Sequence, residues 1–247
     1  MGFNFLAFFY NTRIYNMLKV YLCAFLNNYY IEEAKICIES LRKNGLFTGP
    51  IYLFTDIDTS IEGVEIIKTP CESIPFSACF RTRLFEYITD YISDDIFLYL
   101  DTDIIILKPL PSFNSIGDKI QVYGYPSRTQ NHTSFSGFIT NNINYTSKTA
   151  ICSGILLFRP SLKVKNVFDE TYELYKSLIK LKKVNSCWEQ PALCFILIKH
   201  EMYEISLSHY VYEERTQSKI TDLHIFNHFC ALRGNTRYKR MKKYITN

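Results

Sequence analysis

The stretch that most limits the fold runs from Ile96 to Leu107. Two apolar runs, Ile96-Phe97-Leu98-Tyr99-Leu100 and Ile104-Ile105-Ile106-Leu107, are interrupted only by Asp101-Thr102-Asp103. A short unbroken apolar run suits a strand buried on both faces, and such strands belong to sheets covered by helices on each side. Lys19–Phe25, Ile51–Thr55, Val64–Ile67 and Ile151–Phe158 have the same strand character, and His224–Phe229 reads as a last strand. Helical patterns lie between them. Ile31, Ala34, Ile38 and Leu41 recur at helical spacing before Gly45, and Arg81–Tyr91, Val167–Lys182 and Pro191–Ile198 read as further helices. This alternation predicts an α/β domain with a mainly parallel, twisted sheet flanked by helices.

Composition narrows the functional classes. A chain of 247 residues that is 47% hydrophobic can bury one sizeable core. Residues 1–18 read as a poorly patterned lead-in, 19–235 as the domain and 236–247 as a basic tail. Residues 111–150, rich in Ser, Thr, Asn and Gly, read as loops over the sheet's edge. A net charge of +4 is too mild to imply nucleic acid, and much of it gathers in Arg233, Arg237, Lys239, Arg240, Lys242 and Lys243. Eight cysteines without a CxxC pair argue against a zinc cluster, and several sit in apolar stretches where free Cys acts as a small hydrophobe. The first ten residues have an apolar core but no basic segment before it, and no run reaches membrane-span length. These features predict a reduced, cytoplasmic protein. The aromatic tail around Tyr238 and Tyr244 is a candidate for peripheral contact with an anionic membrane, with a solvated terminal helix as the plainer reading.

Asp101 and Asp103 carry the chemistry. In extended chain, residues two apart point to one side. Like charges so close to a buried strand repel and pay a desolvation cost unless a cation joins them. A hard divalent ion fits that need and keeps positions open for phosphate oxygens. An acidic turn after a core strand is the bland alternative. Placement at a strand's carboxyl end, where open α/β sheets bind ligands, favours the metal.

Arg81-Thr82-Arg83-Leu84-Phe85-Glu86-Tyr87-Ile88, then Ile96–Asp103, then Lys108-Pro109-Leu110, resembles glycosyltransferase family 8, which includes glycogenin and bacterial lipopolysaccharide galactosyl- and glucosyltransferases. The likeness runs in patches from about residue 19 to 233. It implies a GT-A fold, a UDP-sugar donor, Mn²⁺ (or Mg²⁺), and transfer of a hexose to an acceptor hydroxyl with retained configuration, by same-face attack or a covalent intermediate. The acceptor would be a glycan, a protein or a lipid-linked sugar, and a homodimer is a candidate assembly. Donor contacts would come from Phe25, Leu26, Asn27 and Tyr30, with Tyr29 as rival to Tyr30; from Arg81, with Arg83 as a helix-solvating rival; from Asp101, Thr102 and Asp103; and from Cys152, Ser153 and Gly154, where Cys152 replaces the family's Asn.

Trp188-Glu189-Gln190-Pro191 resembles the family's Asp-Gln segment, so Glu189 and Gln190 would sit beside the anomeric centre. Glu189 alternatively caps the following helix. His228-Phe229 resembles the late His-Phe segment, making His228 the third metal ligand beside Asp101 and Asp103, with His224 a weaker rival. Arg233 would replace the lysine that contacts diphosphate. Two other classes stay open. One is a catalytically inactive nucleotide- or sugar-binding module on the same fold. The other is a sugar-1-phosphate nucleotidyltransferase, for which the expected Gly-rich loop after the first strand is missing at Ala24-Phe25-Leu26-Asn27.

Overall fold

The computed structural model describes residues 17–71, 73–88, 95–113, 116–131, 135–140, 142–183, 189–213, 217, 219–230, 232 and 234–245. In chain order the elements begin with β1 (Leu18–Cys23), α1 (Asn28–Lys43), β2 (Ile51–Thr55), β3 (Glu65–Lys68) and α2 (Ile74–Cys79). A 3₁₀ turn at Phe80–Arg83 leads into α3 (Leu84–Tyr87), and β4 (Ile96–Leu100), β5 (Ile104–Ile106), β6 (Ile120–Thr129), α4 (Ile143–Thr146) and β7 (Thr149–Phe158) follow. The chain continues through α5 (Leu162–Lys180), α6 (Gln190–Lys199), β8 (Tyr203–Glu204), β9 (Val211–Glu213), β10 (Phe226–His228) and α7 (Gly234–Lys242).

Seven strands form one sheet in the order β3-β2-β1-β4-β7-β6-β8. The pairs β2–β3, β1–β2, β1–β4 and β6–β8 are parallel, while β7 runs antiparallel to both β4 and β6. A second, three-stranded sheet has the order β5-β10-β9. The α/β expectation therefore holds: the large sheet is mixed, mostly parallel, and flanked by helices. Its centre is dry. Val20, Leu22, Leu53, Phe97, Leu98, Leu100 and Leu156 have no exposed surface. Burial of this kind contributes roughly 25 cal/mol per Å² of apolar surface. Among the described residues no helix is long and apolar enough to cross a membrane.

The structure corrects three readings. Residues 111–150 are not all loop, because they contain the ten-residue strand β6, which lies between β7 and β8. Its signal is broken by Gly124 and by the exposed Pro126, where the pairing with β7 shifts register between Gly124 and Thr129. Gly124 is required by close approach, since a Cβ there would lie 2.9 Å from Ile205 Cγ2. The helix expected at Arg81–Tyr91 starts at Ile74 instead, where the Ser73 side chain accepts a bond from Phe76 N and Pro75 occupies the first turn. It then tightens to 3₁₀ at Phe80–Arg83 and ends at Tyr87, and residues 89–91 of that expectation lie outside the described residues. The last strand covers only Phe226–His228. Residues 1–16 of the lead-in also lie outside the described residues.

Candidate metal and donor site

β4 is buried along its whole length and ends at Leu100. Asp101 N then donates to Gly154 O on β7 at 2.8 Å, and the chain turns through Thr102 and Asp103 into β5. The two aspartates thus flank a turn rather than lying in an extended strand. Antiparallel pairing of β10 with β5 sets His228 opposite Ile104, and Phe229 N donates to Asp103 O at 3.0 Å. That register delivers the His228 ring to Asp103, with Nε2 3.3 Å from Oδ1. One ligand atom each from Asp101, Asp103 and His228 lies within 4.8 Å of the others.

Two arginines enter the cluster. Arg81, in the 3₁₀ turn, holds Asp101 Oδ1 through Nη2 at 3.1 Å and faces Glu189 Oε1 with Nε at 3.0 Å. It also donates to Ser153 O and lies 5.0 Å over the Tyr99 ring, while the Tyr99 hydroxyl donates to Asp101 Oδ1 at 2.9 Å. Arg237, on α7, donates Nη1 to Asp103 Oδ2 at 2.8 Å and grips Glu33 on α1 with its other two nitrogens. Four carboxylates thus face two guanidiniums, an imbalance that a divalent cation would neutralise.

The residues present fit such an ion. Asp103 Oδ1 is buried and makes no well-formed hydrogen bond, its charged neighbour being the His228 ring at 3.3 Å, and two carboxylates with an imidazole form a hard, mixed oxygen–nitrogen donor set. Gly154 keeps the space clear, because a Cβ there would meet Asp101 Oδ2 at 2.8 Å and His228 Cε1 at 3.0 Å. Burial works against a charged Asp103, but His228 and Arg237 outweigh it and hold the carboxyl at about 2. Burial likewise opposes a charged His228, yet Cys230, Cys152 and Asp103 favour it, so the ring stays well above its ordinary value in the metal-free chain. Burial pushes Glu189 and Glu33 above the usual carboxylate range, against the pull of Arg81 and Arg237 respectively.

A cleft of about 340 Å³ opens beside the cluster, bounded by Phe25, Tyr30, Arg81, Asp101, Thr102 and Asp103 of the expected set and by Cys23, Ile74 and Arg237. Tyr30 is 42% exposed at its rim. Tyr29 has a different task, since its hydroxyl accepts from Tyr238 N at 3.1 Å and ties α1 to α7. Phe25 is buried against Phe76 and Phe80. Leu26 is turned out with a positive φ of 68° and donates its N–H to Asp56 Oδ1, and the Asn27 side chain caps α1. Arg83 is directed elsewhere, paired with Glu86 and stacked over Phe76 and Tyr172. A larger cavity of about 510 Å³, lined by Phe76, Arg83, Tyr87 and Tyr172 among others, includes none of the acidic cluster.

On the β7 side, Gln190 Oε1 accepts from Ser153 N at 3.2 Å, and Cys152 Sγ lies 3.7 Å from His228 Nδ1. Glu189 makes no capping bond to α6; its carboxylate serves Arg81 and is 3% exposed. His224 is not on β10 and does not share the site, because its Nδ1 accepts from Thr221 N at 2.8 Å. Arg233 and Trp188 lie outside the described residues. Sequence reasoning missed Glu33, Tyr99 and the particular role of Arg237. Glu33 shares a helical face with Cys37 and Ser40, a faint sign of burial, and nothing in the basic tail distinguishes Arg237 from its neighbours. No family model matches this sequence and no curated protein matches it, so its functional assignment rests on the residues of the site.

Proposed function

We propose that this protein is a metal-dependent, retaining glycosyltransferase of the GT-A kind, similar to family 8, that moves a hexose from a UDP-sugar to an acceptor hydroxyl. The observation that carries the reading is the meeting of Asp101, Asp103 and His228 beside one cleft with Tyr30, Arg81 and Arg237. Bound by Asp101, Asp103 and His228, Mn²⁺ or Mg²⁺ would supply positive charge for the diphosphate leaving group.

The chain's own groups do the rest. Tyr30, at the rim, offers a ring for the uracil base, with the backbone of Phe25, Leu26 and Asn27 beside it. Arg237 is a diphosphate-binding group in addition to the expected Arg233, because its guanidinium already reaches the carboxylate cluster and the cleft. Arg81 holds Asp101 in orientation and is itself held by Glu189, so Glu189 acts through Arg81. Gln190, fixed to the backbone of Ser153 next to Gly154, would align the sugar. Fixed dipoles and charges of this kind stabilise charge that develops as the donor bond breaks.

Calorimetry with UDP, with and without Mn²⁺, tests the assignment. Binding should require Mn²⁺ and fall by about 100-fold or more in Asp103→Asn, as expected when a metal ligand is neutralised. Failure of UDP to bind in both metal conditions would sink it.

A further inference from the structure

We propose that Glu33 and Arg237 form a charge latch that makes the acidic site take up a divalent cation and a diphosphate together, rather than the cation alone. Glu33 lies in the second turn of α1 and has no exposed surface. Arg237 grips it as a fork, Nε to Oε1 at 2.6 Å and Nη2 to Oε2 at 2.8 Å. The Thr102 hydroxyl donates to the same carboxylate at 3.3 Å. The remaining arm, Nη1, lies on Asp103 Oδ2 at 2.8 Å. One guanidinium therefore joins α1, the Asp101–Asp103 turn and α7.

A planar fork fixed along one edge by a buried carboxylate cannot drift from its place. Its free edge is aimed at a carboxylate that a cation needs. A cation entering alone competes with Nη1 for Asp103 and sits beside a fixed positive charge, and both lower its affinity. A diphosphate offers Nη1 another acceptor while Glu33 keeps the other two nitrogens. The anion thus relieves the competition at Asp103, and the two ligands strengthen each other reciprocally. Glu33 touches neither ligand and is a positioning residue. The competition at Asp103 stands apart from the glycosyltransferase reading; the diphosphate half rests on it.

The test titrates Mn²⁺, alone and with saturating UDP, into the native chain, Glu33→Gln, Arg237→Ala and the double variant Glu33→Gln/Arg237→Met. The double variant removes the buried Glu33–Arg237 pair as a unit and leaves Asp103 its His228 neighbour, so it keeps the test usable if Arg237→Ala does not fold. Circular dichroism checks each fold. Arg237→Ala and the double variant should bind Mn²⁺ alone about tenfold more tightly, the scale of outer-shell effects on metal sites. The gain that Mn²⁺ draws from UDP should shrink by a similar factor. Glu33→Gln by itself should do the opposite, weakening Mn²⁺ binding because the fork then leans further onto Asp103. A structural role for Glu33 alone would not produce opposite signs in the two single variants. A folded double variant that binds Mn²⁺ no more tightly than the native chain overturns the latch. Tighter Mn²⁺ binding with no UDP binding in any form supports the competition at Asp103 and overturns its coupling to a diphosphate, along with the donor-site reading.

Discussion

Arg81 joins Asp101 to Glu189 within the frame of the large sheet, whereas Arg237 joins Asp103 to Glu33 from α7. Each guanidinium spans two carboxylates at one site, but the surroundings differ. Arg81 is packed over Tyr99, bonded to the backbone of β7, and seated in a turn whose neighbours Phe80 and Thr82 are buried. Arg237 arrives on a helix anchored mainly by Met241 against Ile36, Ile105 and Phe229, and by the Tyr29–Tyr238 bond. Its partners stand 134 and 204 residues away in sequence. The difference separates two tasks: one arginine belongs to the scaffold of the site, and the other can exchange partners when a ligand arrives.

Breaking the contrast begins with Arg81. Arg81→Ala would strand Asp101 and the buried Glu189 without their counter-charge, at a cost of about 3–5 kcal/mol in urea-induced unfolding. Hydrogen exchange should show that loss spreading into β4 and β7, and a loss confined to the 3₁₀ turn would erase the distinction between scaffold and exchangeable arginine. Next in size is Met241→Ala, which removes the buried anchor of α7 and should cost about 2 kcal/mol. Hydrogen exchange should place that loss in α7 and leave β4 and β7 protected, because the helix is a peripheral unit. Acceleration across the whole sheet would show that α7 is as much scaffold as Arg81. Gly154→Ala crowds a buried position of β7 and should cost the fold about 1–2 kcal/mol. It should also weaken Mn²⁺ binding about tenfold by pushing a methyl against Asp101 and His228. Unchanged Mn²⁺ affinity would mean that the space beside Gly154 is not where the ion sits.

Much of the scaffold was legible because its signals are local. β4 was readable from five apolar residues in succession, and α1 from Ile31, Ala34, Ile38 and Leu41. The Asp101–Asp103 pair stood out because charge between apolar runs is costly. β6 escaped because Gly124 and Pro126 carry turn chemistry inside a strand, tolerated at a register shift that depends on β7 and Ile205. The start of α2 at Ser73 and Pro75 was written in capping chemistry, yet the heavier apolar run after Arg81 drew the helix boundary too late.

Within the site the division is sharper. His228 could be nominated from its neighbours, but its arrival at Asp103 is decided by the antiparallel register of β10 on β5, a pairing between segments more than a hundred residues apart. Glu189 reads as a site carboxylate only slightly ahead of a helix cap until its partner Arg81 is seen across the fold. Glu33 and Arg237 read as an ordinary helical acid and one of many basic tail residues.

The sequence by itself determined the kind of sheet, the acidic turn at the end of β4 and the types of group available to it, because those follow from hydrophobic period and local charge. Only the tertiary structure decided that Arg237, among the described basic residues near the end of the chain, reaches that turn, and which buried acid holds it there. A charge pair is set by a few ångströms of three-dimensional distance, and sequence spacing carries no measure of that distance once the chain has folded back on itself.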